Sequence, residues 1–145
     1  MNIYLDTCVW LNIFNKNEVN TPYGKISKKL VENILFKTNN KIIYSGFILR
    51  ELENKLNKNF NEKREYFLRE ENIVFAKANQ TDYSVARQIE NKYKSNLSFF
   101  DCLHIAICKN NNFILITLDK ELLNIAKLET KAYSPNELLQ RINFI

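Results

Sequence analysis

The chain is 145 residues long and 46% hydrophobic, with a formal net charge of +5 at pH 7 and only 2 Gly and 2 Pro. One domain is expected, large enough to bury roughly two-thirds of the surface its unfolded form exposes. No run approaches the ~18 uninterrupted apolar residues of a membrane span, and no signal peptide precedes Asn2-Ile3-Tyr4, so the expectation is a cytoplasmic protein without membrane association.

Three cysteines, Cys8, Cys102 and Cys108, form no C-x-x-C pair and argue against a disulfide framework or a zinc knuckle. They read as small apolar fillers in a reducing compartment. The basic balance suits an acidic partner, either a nucleic-acid backbone or an acidic protein, and equally a merely solvated surface.

In chain order, Asn2 to Leu5 reads as a first short strand, and Thr7 to Phe14 as a helix that Asp6 can cap. Asn15 to Thr21 is polar punctuation. Tyr23 to Lys37 repeats Ile26, Leu30, Ile34 and Leu35 at helical spacing. Lys41 to Tyr44 is a second strand, and Ser45 caps a helix whose apolar stripe is Ile48, Leu52 and Leu56. Phe60 to Glu71 is a charged helix, Ile73 to Phe75 a third strand, and Tyr83 to Tyr93 an amphipathic helix. Phe99 to Cys108 is nearly all apolar and too long for a strand, so it reads as a buried central helix. Phe113 to Thr117 is the clearest strand. Lys120 to Ala126 is a short helix, Lys131 to Tyr133 a weak last strand, and Pro135 the first position of a closing helix. Short strands alternating with helices predict an α/β fold: one three-layer α/β/α domain over residues 1–145 with a parallel sheet of four to five strands.

Four acids stand out: Asp6, Glu51, Asp101 and Asp119. Each has a plain structural reading. Asp6 and Asp119 can be helix N-caps, Glu51 can pair with Lys55 at i,i+4, and Ser98-x-x-Asp101 is a capping box. Their placement adds a second reading. Asp6 ends strand one, Asp119 follows strand four by two residues, and Glu51 lies within two turns of strand two, so all three belong at the carboxyl edge of the sheet. Asp101 is the only charge in Phe99–Cys108, and an unpaired buried carboxylate is costly. Converging carboxylates repel one another; oxygen-only ligands select hard cations, Mg²⁺ or Mn²⁺, which activate water and clamp the oxygens of an in-line phosphoryl displacement.

These pieces, in this order, resemble the PIN-domain nucleases and, among them, the VapC-type toxins of toxin–antitoxin pairs. The resemblance runs from Asn2 to Leu139. It is carried by Ile3-Tyr4-Leu5-Asp6-Thr7, Ser45 to Leu52 with Glu51, Phe100-Asp101-Cys102-Leu103-His104-Ile105-Ala106, Ile116-Thr117-Leu118-Asp119-Lys120-Glu121-Leu122 and Tyr133-Ser134-Pro135-Asn136-Glu137-Leu138-Leu139. It implies a Mg²⁺- or Mn²⁺-dependent endoribonuclease acting on single-stranded RNA, a homodimer and a cognate antitoxin. By position, Asp6, Glu51, Asp101 and Asp119 would be the catalytic, metal-binding quartet; Thr117, Glu121 and Ser45 would support it. Residue 8 is Cys where a small hydroxyl or amide is usual.

Other readings are weaker. A haloacid-dehalogenase-type phosphatase needs Asp-x-Asp after the first strand, and a receiver domain needs an early acid pair; neither is present. With glycines only at 24 and 46 there is no glycine-rich phosphate loop. His104, one turn from Asp101, reads as a satisfied core histidine. Lys55, Lys58, Lys63, Arg64 and Arg69 could track RNA phosphates or form a solvated face, and Tyr66 and Phe67 read as core rather than base-stacking residues. An RNA-processing nuclease, or a non-catalytic RNA- or protein-binding module of the same fold, are the alternatives.

Overall fold

The structure, a computed structural model, describes residues 1–15, 19–94 and 96–143. Of the polar stretch Asn15 to Thr21, residues 16–18 lie outside the described residues. Five short runs pair side by side: β1 (Asn2–Leu5), β2 (Lys41–Tyr44), β3 (Ile73–Phe75), β4 (Ile114–Ile116) and β5 (Ala132–Tyr133). They form one sheet, parallel throughout, in the order β3-β2-β1-β4-β5. Helices flank it as outer layers: α1 (Thr7–Phe14), α2 (Pro22–Phe36), α3 (Gly46–Leu56), α4 (Phe60–Arg69), α5 (Gln80–Tyr93), α6 (Phe99–Asn111), α7 (Lys120–Glu129) and α8 (Pro135–Asn143). Among the described residues no helix is long and apolar enough to cross a membrane.

The topology decides where a site can form. From β1 the chain builds outward to β2 and β3, then returns to the other side of β1 for β4 and β5. The strand order therefore reverses between β1 and β4, and the crevice beyond the carboxyl ends of those two strands is where open α/β sheets bind ligands. Asp6 follows β1 directly, and its backbone N–H bonds Ile116 O at 2.9 Å, extending the β1–β4 ladder by one residue.

Helix ends follow local sequence chemistry. Thr21 accepts a bond from Gly24 N ahead of Pro22, so α2 starts one residue before the expected Tyr23. The reciprocal pair Asn79–Asp82 starts α5 at Gln80, three residues before the expected Tyr83. Asn112, in the left-handed region at φ 57°, ends α6 at Asn111 rather than at the last apolar residue. Helix α4 stops at Arg69 and is preceded by a 3₁₀ turn, Asn57–Asn59; α7 runs on to Glu129; β4 and β5 are shorter than the sequence suggests.

The core lies on both faces of β1, whose Ile3, Tyr4 and Leu5 are wholly buried. Cys102 to Cys108 of α6 are buried without interruption, as the apolar run predicts. The aromatic core is built around Trp10, with Phe67 4.7 Å away between ring centroids and Phe14 stacked at 5.5 Å. Tyr66 meets Trp10 and Phe14 edge-on, so Tyr66 and Phe67 are packing residues.

One ionic knot ties α5, α6 and α7. Glu129 accepts bonds from Lys92 (3.1 Å), Lys109 (2.9 Å) and the Tyr93 hydroxyl. Burial alone would raise its carboxyl; the three donors outweigh that and hold it down at about 2. Glu129→Gln is expected to cost about 2 kcal/mol of stability at pH 7, the scale for hydrogen bonds to a charged group. Because the folded value is depressed, this contribution is complete above about 4.5, the carboxyl's ordinary value, and is lost as pH falls through about 2. Denaturant unfolding of both proteins at pH 7 and pH 2 checks it: the difference at pH 7 should shrink at pH 2.

Candidate active site

At the strand-order reversal, a single hydroxyl connects two acids. Thr117, fully buried just past β4, donates through Oγ1 to Asp6 Oδ2 at 2.8 Å and accepts from Asp119 N at 3.1 Å. Asp6 Oδ1 accepts from Thr7 N at 2.8 Å, and Asp119 Oδ1 accepts from Glu121 N and Leu122 N at 3.0 and 3.1 Å. Both acids are thus N-caps, as their plain reading holds, and both lie at the carboxyl edge of the sheet, beyond β1 and β4. Cys8 joins this group rather than leaving a gap. Its thiol donates to Asp6 Oδ2 at 3.4 Å, lies 3.6 Å from Thr117 Oγ1 and accepts from Leu118 N at 3.4 Å. Burial, followed by the charge of Asp6, pushes this thiol up to about 12, so it stays protonated and acts as a donor.

Glu51 and Asp101 line a cavity of about 270 Å³ together with Phe47, Arg50, Asn54, Ser98 and Phe100. Asp101 forms the expected capping box: Ser98 N donates to Oδ2 at 3.4 Å, and Asp101 N donates to Ser98 Oγ at 3.1 Å. Burial raises the Asp101 carboxyl and the charge of Asp6 raises it further, so these two acids sense each other across the crevice.

Glu51 does not pair with Lys55, which acts on it only through its charge. Its partner is His104, whose Nε2 lies 3.0 Å from Glu51 Oε1. His104 is a satisfied core histidine, fully buried, and it belongs to the site as well. Its Nδ1 lies 2.6 Å from the Tyr4 hydroxyl, which lies 2.8 Å from Ser45 Oγ. Ser45 also accepts from Ile48 N at the start of α3, so one buried polar line runs from that cap to Glu51. Burial alone would raise Glu51 and lower His104. The bond between them, with the charges of Asp6, Glu51 and Asp101 on His104 and those of His104 and Lys55 on Glu51, reverses both effects, leaving Glu51 below and His104 above its ordinary range. The Thr7 hydroxyl, buried and without a partner at full hydrogen-bond geometry, faces Glu51.

The remaining sequence candidates fall apart spatially. Glu121 accepts from Asn96 N at 3.2 Å and so braces the segment before α6. The basic flank divides. Lys55 and Lys63 border a hollow with Phe14, Lys63 and Arg69 border one with Tyr66, and Arg64 shares another with Arg50 and Gly46. Lys58 lies exposed in the 3₁₀ turn. Tyr4, Arg50 and Asn54 border the acids without any spacing or motif in the sequence that marks them. The only signal for Tyr4 was a hydroxyl inside an otherwise aliphatic central strand.

The carboxylates of Asp6, Glu51, Asp101 and Asp119 are oxygen donors of the kind a hard cation takes. In the arrangement described, however, each acid is held by its own hydrogen bonds. Among the described residues no group of three His, Cys, Asp or Glu converges closely enough to form a ligand set. The donor chemistry fits such an ion; in the geometry described, Thr117 links Asp6 to the backbone of Asp119, and Glu51 and Asp101 line one cavity.

A five-stranded parallel α/β/α sandwich with acids at its β1/β4 crevice defines the class. The chain belongs to the PIN domain family, whose model matches residues 3–128. Among solved structures it is similar to VapBC2 from Rickettsia felis bound to a promoter DNA fragment, at 18% identity and TM-score 0.71, covering 92% of this chain and 98% of that one. A toxin–antitoxin complex from Klebsiella pneumoniae matches at 18% identity and TM-score 0.66, covering 92% and 97%. Mycobacterium tuberculosis VapC20, a sarcin-ricin loop cleaving toxin, matches at 14% and 0.66, covering 83% and 92%. At these identities the likeness is one of fold. No curated protein matches the chain in sequence.

Proposed function

We propose that this PIN domain is a divalent-cation-dependent endoribonuclease that cleaves single-stranded RNA in the cytoplasm as the toxin of a VapBC-type pair. The observation that carries the reading is the Asp6–Thr117–Asp119 chain at the strand-order reversal, with Asp101 close enough for Asp6's charge to raise its carboxyl. Asp6, Glu51, Asp101 and Asp119 would hold Mg²⁺ or Mn²⁺. Such an ion, when bound, lowers the pKa of water and neutralises charge on a phosphodiester.

The chain's own groups do the rest. Thr117 and Cys8 keep Asp6 Oδ2 oriented, and His104 fixes Glu51 through Oε1. A carboxylate of the quartet takes the proton of the attacking water, within hydrogen-bond reach of it. Arg50 and Arg64, which share a hollow beside the acidic cavity, meet the RNA backbone. The similar solved toxin–antitoxin complexes support an antitoxin as partner; a homodimer is the working form the reading carries with it. One observation favours a second reading, a non-catalytic RNA-binding module: the absence, among the described residues, of three converged ligands.

The test incubates single-stranded RNA with the protein and Mg²⁺ or Mn²⁺, beside EDTA and Asp101→Asn controls. Cleavage is expected only in the wild type with metal. Cleavage that survives both controls contradicts the metal reading, and binding without cleavage under either ion selects the module.

A further inference from the structure

Phe100 is unexplained by the acids or by the core. It sits in the first turn of α6, one residue before Asp101, and is 47% exposed. Its neighbour Phe99 is covered: Tyr83 stacks on it at 16° and the Arg87 guanidinium lies 4.0 Å from its ring centroid. Phe100 instead leans on Phe47 of α3, with centroids 5.5 Å apart. These two rings line the same cavity of about 270 Å³ as Glu51 and Asp101. Exposed Arg50 and Asn54, both from α3, complete the lining with Ser98.

The mixture of groups selects the occupant. An apolar side chain from a protein partner would be pressed against two carboxylates. A nucleobase offers a π-face to the rings and polar edges to an amide and a guanidinium, and single-stranded nucleic acids are gripped by aromatic stacking beside cationic backbone contacts. Arg50 borders both this cavity and the hollow that holds Arg64, so a cationic path leads into it.

We propose that Phe47, Phe100 and Asn54 form a nucleobase subsite that stacks the base adjoining the phosphate at the acidic crevice, with the Asn54 amide meeting that base's edge. The proposal rests on the RNA-cleavage reading and adds to it a reason for single-strand preference, since a base paired and stacked in a duplex cannot reach the rings.

The experiment measures binding of a short labelled single-stranded RNA to wild type, Phe100→Ala, Phe100→Trp and Asn54→Ala. Ca²⁺ replaces Mg²⁺, giving the carboxylates a hard counter-ion. Phe100→Ala should weaken binding roughly 5- to 150-fold, the range that loss of one base–aromatic stack corresponds to. Phe100→Trp should retain binding and have its indole fluorescence quenched by the RNA; Trp10, wholly buried, supplies a constant background. Asn54→Ala should weaken binding unequally for RNAs that differ at one base. A duplex of the same sequence should not distinguish Phe100→Ala from wild type. If wild type cleaves single-stranded RNA while Phe100→Ala binds it as tightly, and Phe100→Trp shows no quenching, the subsite is overturned and the nuclease reading stands. A wild type that neither binds nor cleaves RNA overturns both.

Discussion

Asp6→Asn is expected to reduce divalent-cation-dependent RNA cleavage by at least about a hundredfold while the protein still folds. Residues that merely orient metal ligands cost about 10- to 100-fold when replaced, so loss of a ligand itself should reach or exceed that range. Folding should survive because Asn is as good an N-cap as Asp, and its carbonyl can still accept from Thr7 N. The hydroxyl of Thr117 can turn to meet the new amide while still accepting from Asp119 N at 3.1 Å. A role confined to capping α1 predicts the opposite pattern: activity retained and a stability loss of at most about 1–2 kcal/mol. Cleavage rates and a thermal melt on the same preparation separate the two.

The second large effect is expected at His104. It is wholly buried, with both ring nitrogens in use, one toward Tyr4 at 2.6 Å and one toward Glu51 at 3.0 Å. His104→Phe fills similar space and removes both bonds, leaving the buried Tyr4 hydroxyl with Ser45 alone and Glu51 without its partner. The expected loss is about 1–2 kcal/mol, chiefly the buried Tyr4 bond, because the Glu51 side chain is 42% exposed and regains water; it is read by denaturant unfolding. His104→Gln discriminates positioning from packing. Its amide can still reach Glu51 but not Tyr4, so cleavage should recover toward wild type more than stability does. Wild-type stability in His104→Phe would contradict the assignment.

The strands were legible because so little competes with them. Asn2–Leu5, Lys41–Tyr44 and Ile73–Phe75 are the expected residues, since short apolar runs bounded by polar residues have few other uses in a chain with two glycines. Helix boundaries were legible where the cap lay beside an apolar stripe, as at Ser45 and Ser98. They were missed where the cap preceded polar residues, as at Asn79-Gln80-Thr81-Asp82. Strand ends also exposed Asp6, Thr117 and Asp119, because a parallel sheet brings its carboxyl edge together whatever the intervening sequence.

The Tyr4–His104–Glu51 line was not legible. Its members are separated by up to 100 residues, and Tyr4 and His104 sit within apolar runs whose periodicity marks them as core. Burial and participation in the site are compatible here, and periodicity alone reports only the first. Nor could spacing show which partner holds each acid, because that depends on side-chain bonds to Thr117, Ser98 and His104.

An equilibrium Mn²⁺ titration of the wild type beside Asp6→Asn, Glu51→Gln, Asp101→Asn and Asp119→Asn, with folding checked for each, tests the claim that four carboxylates build one divalent-cation site. Saturable binding by the wild type that weakens at least about tenfold in every variant is the predicted result. Equal Mn²⁺ affinity across all five proteins, or no saturable binding by the wild type, would contradict the claim.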